Sequence, residues 1–286
     1  MKVILVTGGA GFIGSHLLEE LASSGEYRLY SLDNYSSGSK DNHVPGVEYI
    51  EGDTVDIDKH VGSVPDIIFH LGEYSRVERS FEDIELVWNS NTRGTQSVLE
   101  FCRKNNCKLV YAGSSTKFGD GGTGQSQSPY AWSKASNTEL VKNYGRWFEL
   151  EYAITYFYNV YGGREIANGD YATVVGIFKE AYKRGEPLTV VSPGTQLRNF
   201  THIDDIISGL RAVGFNGLGD EFGIGSQSAY SIIEIAEMFG GEIQMIPERR
   251  GNRMTADLIV SKTEALGWKA QIDIRDHIRD FIFDSN

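Results

Sequence analysis

Cysteine, long apolar runs and positive charge are all scarce in this chain, and each shortage excludes something. Two cysteines, Cys102 and Cys107, are too few for a disulfide framework. They are not spaced as Cys-x-x-Cys, and with no other soft ligands nearby they make no zinc site. The expectation is a reduced, cytoplasmic protein without a metal. No apolar stretch approaches the ~20 residues that a bilayer span needs. The N-terminal run Val3 to Val6 ends in Thr7-Gly8-Gly9, so it reads as a strand and not as a signal peptide. Lys and Arg number 27 against 39 Asp and Glu, a formal charge of -12. A surface that negative repels phosphate backbones and anionic lipid, so neither nucleic acid nor a membrane is an expected partner.

What is present is an alternation of strand-like and helical patterns. Val3–Val6, Tyr27–Leu32, Val47–Ile50, Asp66–His70, Lys108–Ala112 and Tyr152–Tyr156 read as six strands. Between them lie helical patterns at Phe12–Ser24, Ile84–Lys104 and Pro129–Phe148. Such β-α-β order predicts an α/β fold, a doubly wound parallel Rossmann sheet with helices on both faces. Ligands bind these sheets at the carboxyl ends of the strands, where the strand order reverses. After Tyr161 the alternation stops, and helices predicted at 171–184, 202–215 and 231–239 mix with short strands. We read 1–161 as a dinucleotide-binding domain and 162–286 mainly as a smaller α/β substrate-binding lobe, with some segments returning to the sheet.

Thr7-Gly-Gly-Ala-Gly-Phe-Ile-Gly14 joins the first strand to the first helix. Gly8, Gly11 and Gly14 permit a tight turn, close approach to a pyrophosphate, and close helix–strand packing. The helix N-terminus offers unpaired N–H groups to the anion. Asp33 ends the second strand about twenty residues on, where an acid accepts from ribose hydroxyls and repels a 2′-phosphate; this favours NAD over NADP. Around this frame the expected cofactor contacts are Phe12, Ile13, Asn34, Ser37, Gly38, Asp53, Thr54, Leu71, Gly72 and Asn91. His70, alone at a strand end, reads as structural.

Tyr130 and Lys134 lie four apart at the start of a helix, on one face, and Ser114 follows strand five. A nearby cation favours the phenolate of a tyrosine, making it a general base near neutral pH. A serine hydroxyl can hydrogen-bond the reacting oxygen. At this point the sequence resembles the extended short-chain dehydrogenase/reductases, specifically the nucleotide-sugar epimerase/dehydratase family. Its nearest likeness is to 4-epimerases of UDP-glucose and UDP-N-acetylglucosamine. The resemblance spans essentially the whole chain. Its supports are the glycine loop, Asn91-Thr-Arg-Gly-Thr95, Ser114, Ser128-Pro-Tyr-Ala-Trp-Ser-Lys134, Tyr158-Asn-Val-Tyr-Gly162, Gly194-Thr-Gln-Leu-Arg-Asn-Phe200 with His202-Ile-Asp-Asp205, and Arg249-Arg-Gly251.

The resemblance implies a catalytic set of Ser114, Tyr130 and Lys134, with Lys134 also on the nicotinamide ribose. It implies substrate contacts from Ser114, Thr116, Tyr130 and Asn159, and a grip on the diphosphate by Arg198 and Arg249. Without the motifs, both arginines read as solvated surface cations. Two departures matter. The family's dehydratases carry an acidic pair just after the catalytic hydroxyl, where this chain has Ser115 and Thr116, so dehydration is disfavoured. Glu73 stands where the family has a small or apolar residue, and reads either as a surface carboxylate or as an unusual polar contact. The expected function is NAD-dependent epimerisation of a nucleotide-diphosphate sugar at C4, through a 4-keto intermediate with hydride returned from the same cofactor. The alternatives are a nucleotide-sugar reductase or dehydrogenase, or a non-catalytic NAD-binding relative. A homodimer is expected through the helices at 84–104 and 129–148, with Leu99, Val141 and Trp147 as candidate contacts, each open to the alternative of being core.

Overall fold

The computed structural model describes residues 1–169, 171–248 and 253–285. The first half runs β1 (Lys2–Thr7), α1 (Phe12–Ser23), β2 (Tyr27–Asp33), β3 (Val47–Glu51), the single turn α2 (Ile57–His60) and β4 (Ile67–His70). Next, α3 (Ile84–Val87) passes through a π-helical stretch, Trp88–Arg93, into α4 (Gly94–Asn105). Then come β5 (Lys108–Ser114), α5 (Pro129–Phe148), β6 (Tyr152–Phe157) and β7 (Val160–Tyr161). The second half holds α6 (Val174–Arg184), β8 (Leu188–Val191), β9 (Leu197–Asn199), β10 (Thr201–His202), α7 (Ile203–Asn216) and β11 (Gly219–Ile224). It ends with β12 (Ala229–Ser231), α8 (Ile232–Phe239), β13 (Ile243–Ile246), α9 (Ser261–Glu264) and α10 (Ile274–Ser285).

Seven strands form one sheet in the order β11-β6-β5-β4-β1-β2-β3, and every pairing in it is parallel. The strand order reverses between β1 and β4, which opens a crevice beyond their carboxyl ends. Alternation along β1 supplies both cores. Ile4 and Val6 pack with Leu17 and Leu18 of α1 and Ile206 and Leu210 of α7. Leu5 faces the other way, with Val98 and Leu99 of α4 and Val141 and Tyr144 of α5. Strands buried on both faces read as continuous apolar runs, which is why Val3–Val6 is unbroken.

The second half divides between layers. Its α7 and β11 complete the sheet layer, whereas α6, α8, α10 and strand β8 enclose a separate core around Phe178, Leu188, Ile235 and Ile278. Helix α6 starts three residues later than its apolar pattern suggests, because the Thr173 hydroxyl accepts from Gly176 N at 3.0 Å and caps it. Leu99 and Val141 are fully buried, so they cannot be dimer contacts; their apolar character serves the core under α4 and α5. Trp147 is 60% exposed and stays available, with Trp132, Phe148 and Trp88 also exposed nearby in the chain.

His70 closes β4 and ties three elements together. Its Nδ1 lies 2.7 Å from the Thr7 hydroxyl and its Nε2 lies 3.0 Å from the Thr95 hydroxyl. Thr95 donates to Glu73 at 2.7 Å, so it must accept from an Nε2–H. Nδ1 is then the acceptor from Thr7, which in turn accepts from Gly72 N at 3.0 Å. Complete burial holds this imidazole down at about 4, against an ordinary 6.5. A buried neutral imidazole makes stability fall as pH drops, because the unfolded chain takes up the proton first. The loss begins near pH 6.5, ends near pH 4, and amounts to about 3 kcal/mol for this group. Urea midpoints measured across that range should decline, and His70→Asn should flatten the decline; an unchanged slope in the variant would exclude His70 as its source.

Candidate active site

A cleft of about 220 Å³ opens at the strand-order reversal. Its walls include Gly8, Gly11, Phe12, Ile13, Gly14, Asp33, Asn34, Ser37, Thr54, Leu71, Gly72, Tyr130 and Lys134. Local geometry shows why glycine is required. Gly8 has φ +73°, and a Cβ there would sit 2.8 Å from Gly72 Cα. A Cβ on Gly14 would sit 2.2 Å from the Gly8 carbonyl oxygen. Any side chain at these points would fill the cradle. The N-cap of α1, Gly11, brings no side-chain acceptor, leaving the first-turn amides for a ligand anion. Asp33 accepts from Ala10 N and Tyr35 N, both at 2.8 Å, and burial pushes its carboxyl above the ordinary range. The cradle, the uncapped helix end and the acid at the end of β2 fit a dinucleotide.

Three expected cofactor residues stand behind the wall. Gly38 packs on Ala10 and Asp33. Asp53 caps the turn at Val55 N, 3.0 Å, and accepts from Asn34 Nδ2 at 3.2 Å. Asn91 is completely buried. It accepts from Tyr74 N at 2.7 Å and donates to Tyr74 O at 3.1 Å and to the Ser133 hydroxyl at 3.0 Å. It therefore pins the loop after β4 to the first turns of α5.

Helix α5 presents the expected reactive pair. Ser128 caps it by accepting from Ala131 N at 3.0 Å, and Pro129 occupies the first turn. Tyr130 and Lys134 then share one face. The Tyr130 hydroxyl donates to Ser114 Oγ at 3.3 Å, and Ser114 Oγ also accepts from the Thr116 hydroxyl at 2.9 Å. With its lone pairs engaged, Ser114 keeps its own O–H for a ligand oxygen. Lys134 is almost wholly buried; its ammonium donates to Glu73 and to the Ala112 carbonyl.

Glu73 resolves as an internal carboxylate and not a surface one, its side chain only 3% exposed. Besides Lys134 it accepts from Thr95 at 2.7 Å, Asn137 Nδ2 at 3.0 Å and the Tyr111 hydroxyl at 3.3 Å. Asn137 and Thr95 went unassigned in the sequence reading. The one available clue was spacing, since Asn137 falls three residues after Lys134 and so on nearly the same helix face. Arg76 gave no such clue. It lines the cleft, its guanidinium stacks 5.5 Å from the Tyr171 ring centroid, and its buried Nε has no hydrogen-bond partner among the described residues. Burial lowers its basicity.

The expected substrate residues are not all in the cleft wall. Thr116 is engaged with Ser114. Asn159 donates to the Asn199 carbonyl at 3.2 Å. Arg198 donates to the carbonyls of Leu197 and Arg253, at 2.8 and 2.6 Å, and burial beside Arg253 lowers it to about 10. Arg249 lies outside the described residues. Arg253, missed in the sequence, donates to the Ser115 hydroxyl at 3.1 Å, while its buried Nη1 has no hydrogen-bond partner among the described residues. The Gly119–Ser128 loop docks beside it, Asp120 accepting from Met254 N and Thr255 N at 3.0 Å each.

No helix among the described residues is long and apolar enough to cross a membrane. Residues 4–225 match the NAD dependent epimerase/dehydratase family. A putative UDP-glucose 4-epimerase of Methanocaldococcus jannaschii is 31% identical, over 97% of this chain and 96% of its own length. UDP-glucuronic acid decarboxylase 6 of Arabidopsis thaliana is 28% identical, over 96% and 85%. Among solved structures, the Thermus thermophilus UDP-glucose 4-epimerase complex with NAD superimposes with a TM-score of 0.87 at 27% identity, covering 99% of this chain and 98% of its own. With the glycine cradle, the acid at the end of β2 and the Ser/Tyr/Lys cluster all in one cleft, the chain belongs to the NAD-dependent epimerase/dehydratase family.

Proposed function

We propose that the chain epimerises a nucleotide-diphosphate sugar at C4 through a transient 4-keto sugar. The observation that carries this reading is the Ser114–Tyr130 hydroxyl pair with Lys134 one helical turn behind it, at the wall of the dinucleotide cleft. Tyr130 takes the proton of the C4 hydroxyl as general base and returns it after the ketone has turned over. The free O–H of Ser114 donates to the same oxygen. NAD, when bound, supplies the acceptor for the C4 hydrogen and its return. Ser115 and Thr116 offer no carboxylate for eliminating water, which weighs against dehydration. Relatives named as 4-epimerases support the reading. The lobe built on 162–286 holds the nucleotide sugar, with Asn159 as a candidate sugar contact and Arg198 as a candidate diphosphate contact. The free, buried Cys102 and Cys107 suit the reducing cytoplasm.

A second reading rests on Arg76. A buried guanidinium whose Nε has no hydrogen-bond partner among the described residues, in the same cleft as Tyr130, calls for a carboxylate on the sugar. Oxidation at C4 of a uronic sugar makes a β-keto acid, which either loses carbon dioxide or is reduced again. Relatives named as UDP-glucuronic acid decarboxylases accord with this.

Proton NMR in deuterated water, with no added cofactor and a panel of UDP-, GDP-, CDP- and dTDP-sugars including UDP-glucuronate, separates the readings. C4 epimerisation gives a new epimer without deuterium on carbon, whereas solvent deuterium at a ring carbon would sink the simple C4 route. Dependence on added reduced cofactor would instead mark a reductase. Tyr130→Phe should lower turnover by about 10³-fold with the fold intact by circular dichroism; near-normal turnover would remove Tyr130 as the base. For an acidic sugar, Arg76→Met should reduce kcat/KM by roughly 10- to 100-fold while sparing neutral sugars, and equal loss on both would remove the carboxylate reading. Light scattering at micromolar concentration should give a dimer mass, reduced to monomer by Trp132→Asp with Trp147→Asp; a monomeric wild type would refute the dimer.

A further inference from the structure

Lys134 and Glu73 stand 61 positions apart in sequence, and burial has brought them into direct contact. The carboxylate is held from three other sides as well, by Thr95 of α4, Tyr111 of β5 and Asn137 of α5. The ammonium has three N–H donors. One goes to Glu73 and one to the Ala112 carbonyl, so one remains for the cleft that Lys134 lines. Its aliphatic stem and charge lie against the Tyr111 ring, 4.8 Å from the centroid. A buried ion pair of this kind contributes little net stability, but removing one partner strands the other charge. The arrangement fixes both where the ammonium sits and how much charge it shows.

We infer that Glu73 is a positioning residue that holds Lys134 as a neutralised cation, so that Tyr130 is governed by a charge-balanced pair and not by a bare ammonium. This rests on the reading of Tyr130 as the base. The titratable groups around the pair are known from every side. Glu73 faces Lys134 and Tyr111, with His70 of β4 behind Thr95. Tyr130 shares its field with Arg76, Arg253 and Tyr111. Engaged by Glu73 and by the Ala112 carbonyl, Lys134 keeps a single donor, fixed in direction, for a ligand hydroxyl.

The test is a double-mutant cycle on the cofactor-free protein, read by near-ultraviolet phenolate absorbance with Tyr130→Phe subtracted at each corner. The single charge changes should move the Tyr130 titration in opposite directions: Glu73→Gln down by about one pH unit and Lys134→Met up by about one. Glu73→Gln/Lys134→Met, with both charges gone, should titrate as wild type does. In the double variant no charge is stranded, so it folds even where a single variant fails, and its comparison with the wild type alone decides the matter. Should the double variant titrate where Lys134→Met does, Glu73 has no electrostatic part and the inference is overturned. Tyr111→Phe deletes a neutral bond to Glu73 and should leave the titration in place; a shift of similar size there would assign the effect to packing. In turnover, Glu73→Gln should carry the acid limb of the pH–rate profile down by the same amount. If Tyr130→Phe proves active, the reading of Tyr130 as base fails while the titration cycle still reports on Glu73.

Discussion

The backbones after β1 and β4 touch. Gly8 and Gly72 approach so closely that a Cβ on either would fall 2.8 Å from the other's backbone. That contact is possible only because neighbouring parallel strands end level with one another at the point where the strand order reverses. It sets the floor of the cleft and aims the Gly14 end of the first loop. It also delivers the next residues of the β4 loop into the cleft. Glu73 and Arg76 reach the wall because Gly72 has no side chain to hold that loop away.

What these residues bring to the cleft is charge, in a chain with twelve more acidic than basic side chains. Lys134 and Arg76 line the cleft, Arg198 and Arg253 lie against one another in the second half of the chain, and Lys134 has the Glu73 carboxylate in direct contact. An acidic exterior repels anions in general, so a local group of cations with unfilled donors distinguishes one anion from the bulk. Among the described residues Arg76 Nε and Arg253 Nη1 have no hydrogen-bond partner, which leaves part of each guanidinium's binding capacity for a ligand.

Much of this was legible in the sequence, and the reasons are local. The glycine loop, Asp33 at the end of the second strand, and the Tyr130–Lys134 pair follow from spacing along the chain, so the sequence reveals them. The parallel sheet follows from the order of apolar runs. Legibility failed where partners come from distant elements. Glu73 stood out as a misfit, but its partners Thr95, Tyr111, Lys134 and Asn137 lie on three other elements. Leu99 and Val141 stayed open between core and dimer face for a related reason. Periodicity shows that a helix has an apolar face without saying whether that face meets the core or another copy. Here the core takes them, and the exposed aromatic side chains Trp132 and Trp147 occupy other turns of α5. The π-helical stretch Trp88–Arg93 had no signal in composition at all, yet it holds Asn91 where that side chain can reach both the β4 loop and α5.

Asn91 and Glu73 make the same kind of connection by different means. Asn91 joins the β4 loop to α5 through neutral hydrogen bonds, which fix distance and orientation but leave the local potential nearly untouched. Glu73 joins the same two elements through a charge, and so fixes position and potential together. Two adjacent links would be redundant if geometry alone were at stake, since Asn91 already sets the spacing. A neutral residue at 73 could keep the bonds to Thr95, Asn137 and Tyr111 but would leave the buried Lys134 ammonium without its counter-charge. The buried acid therefore makes physical sense through its charge, opposite the one lysine that shares a helix face with Tyr130.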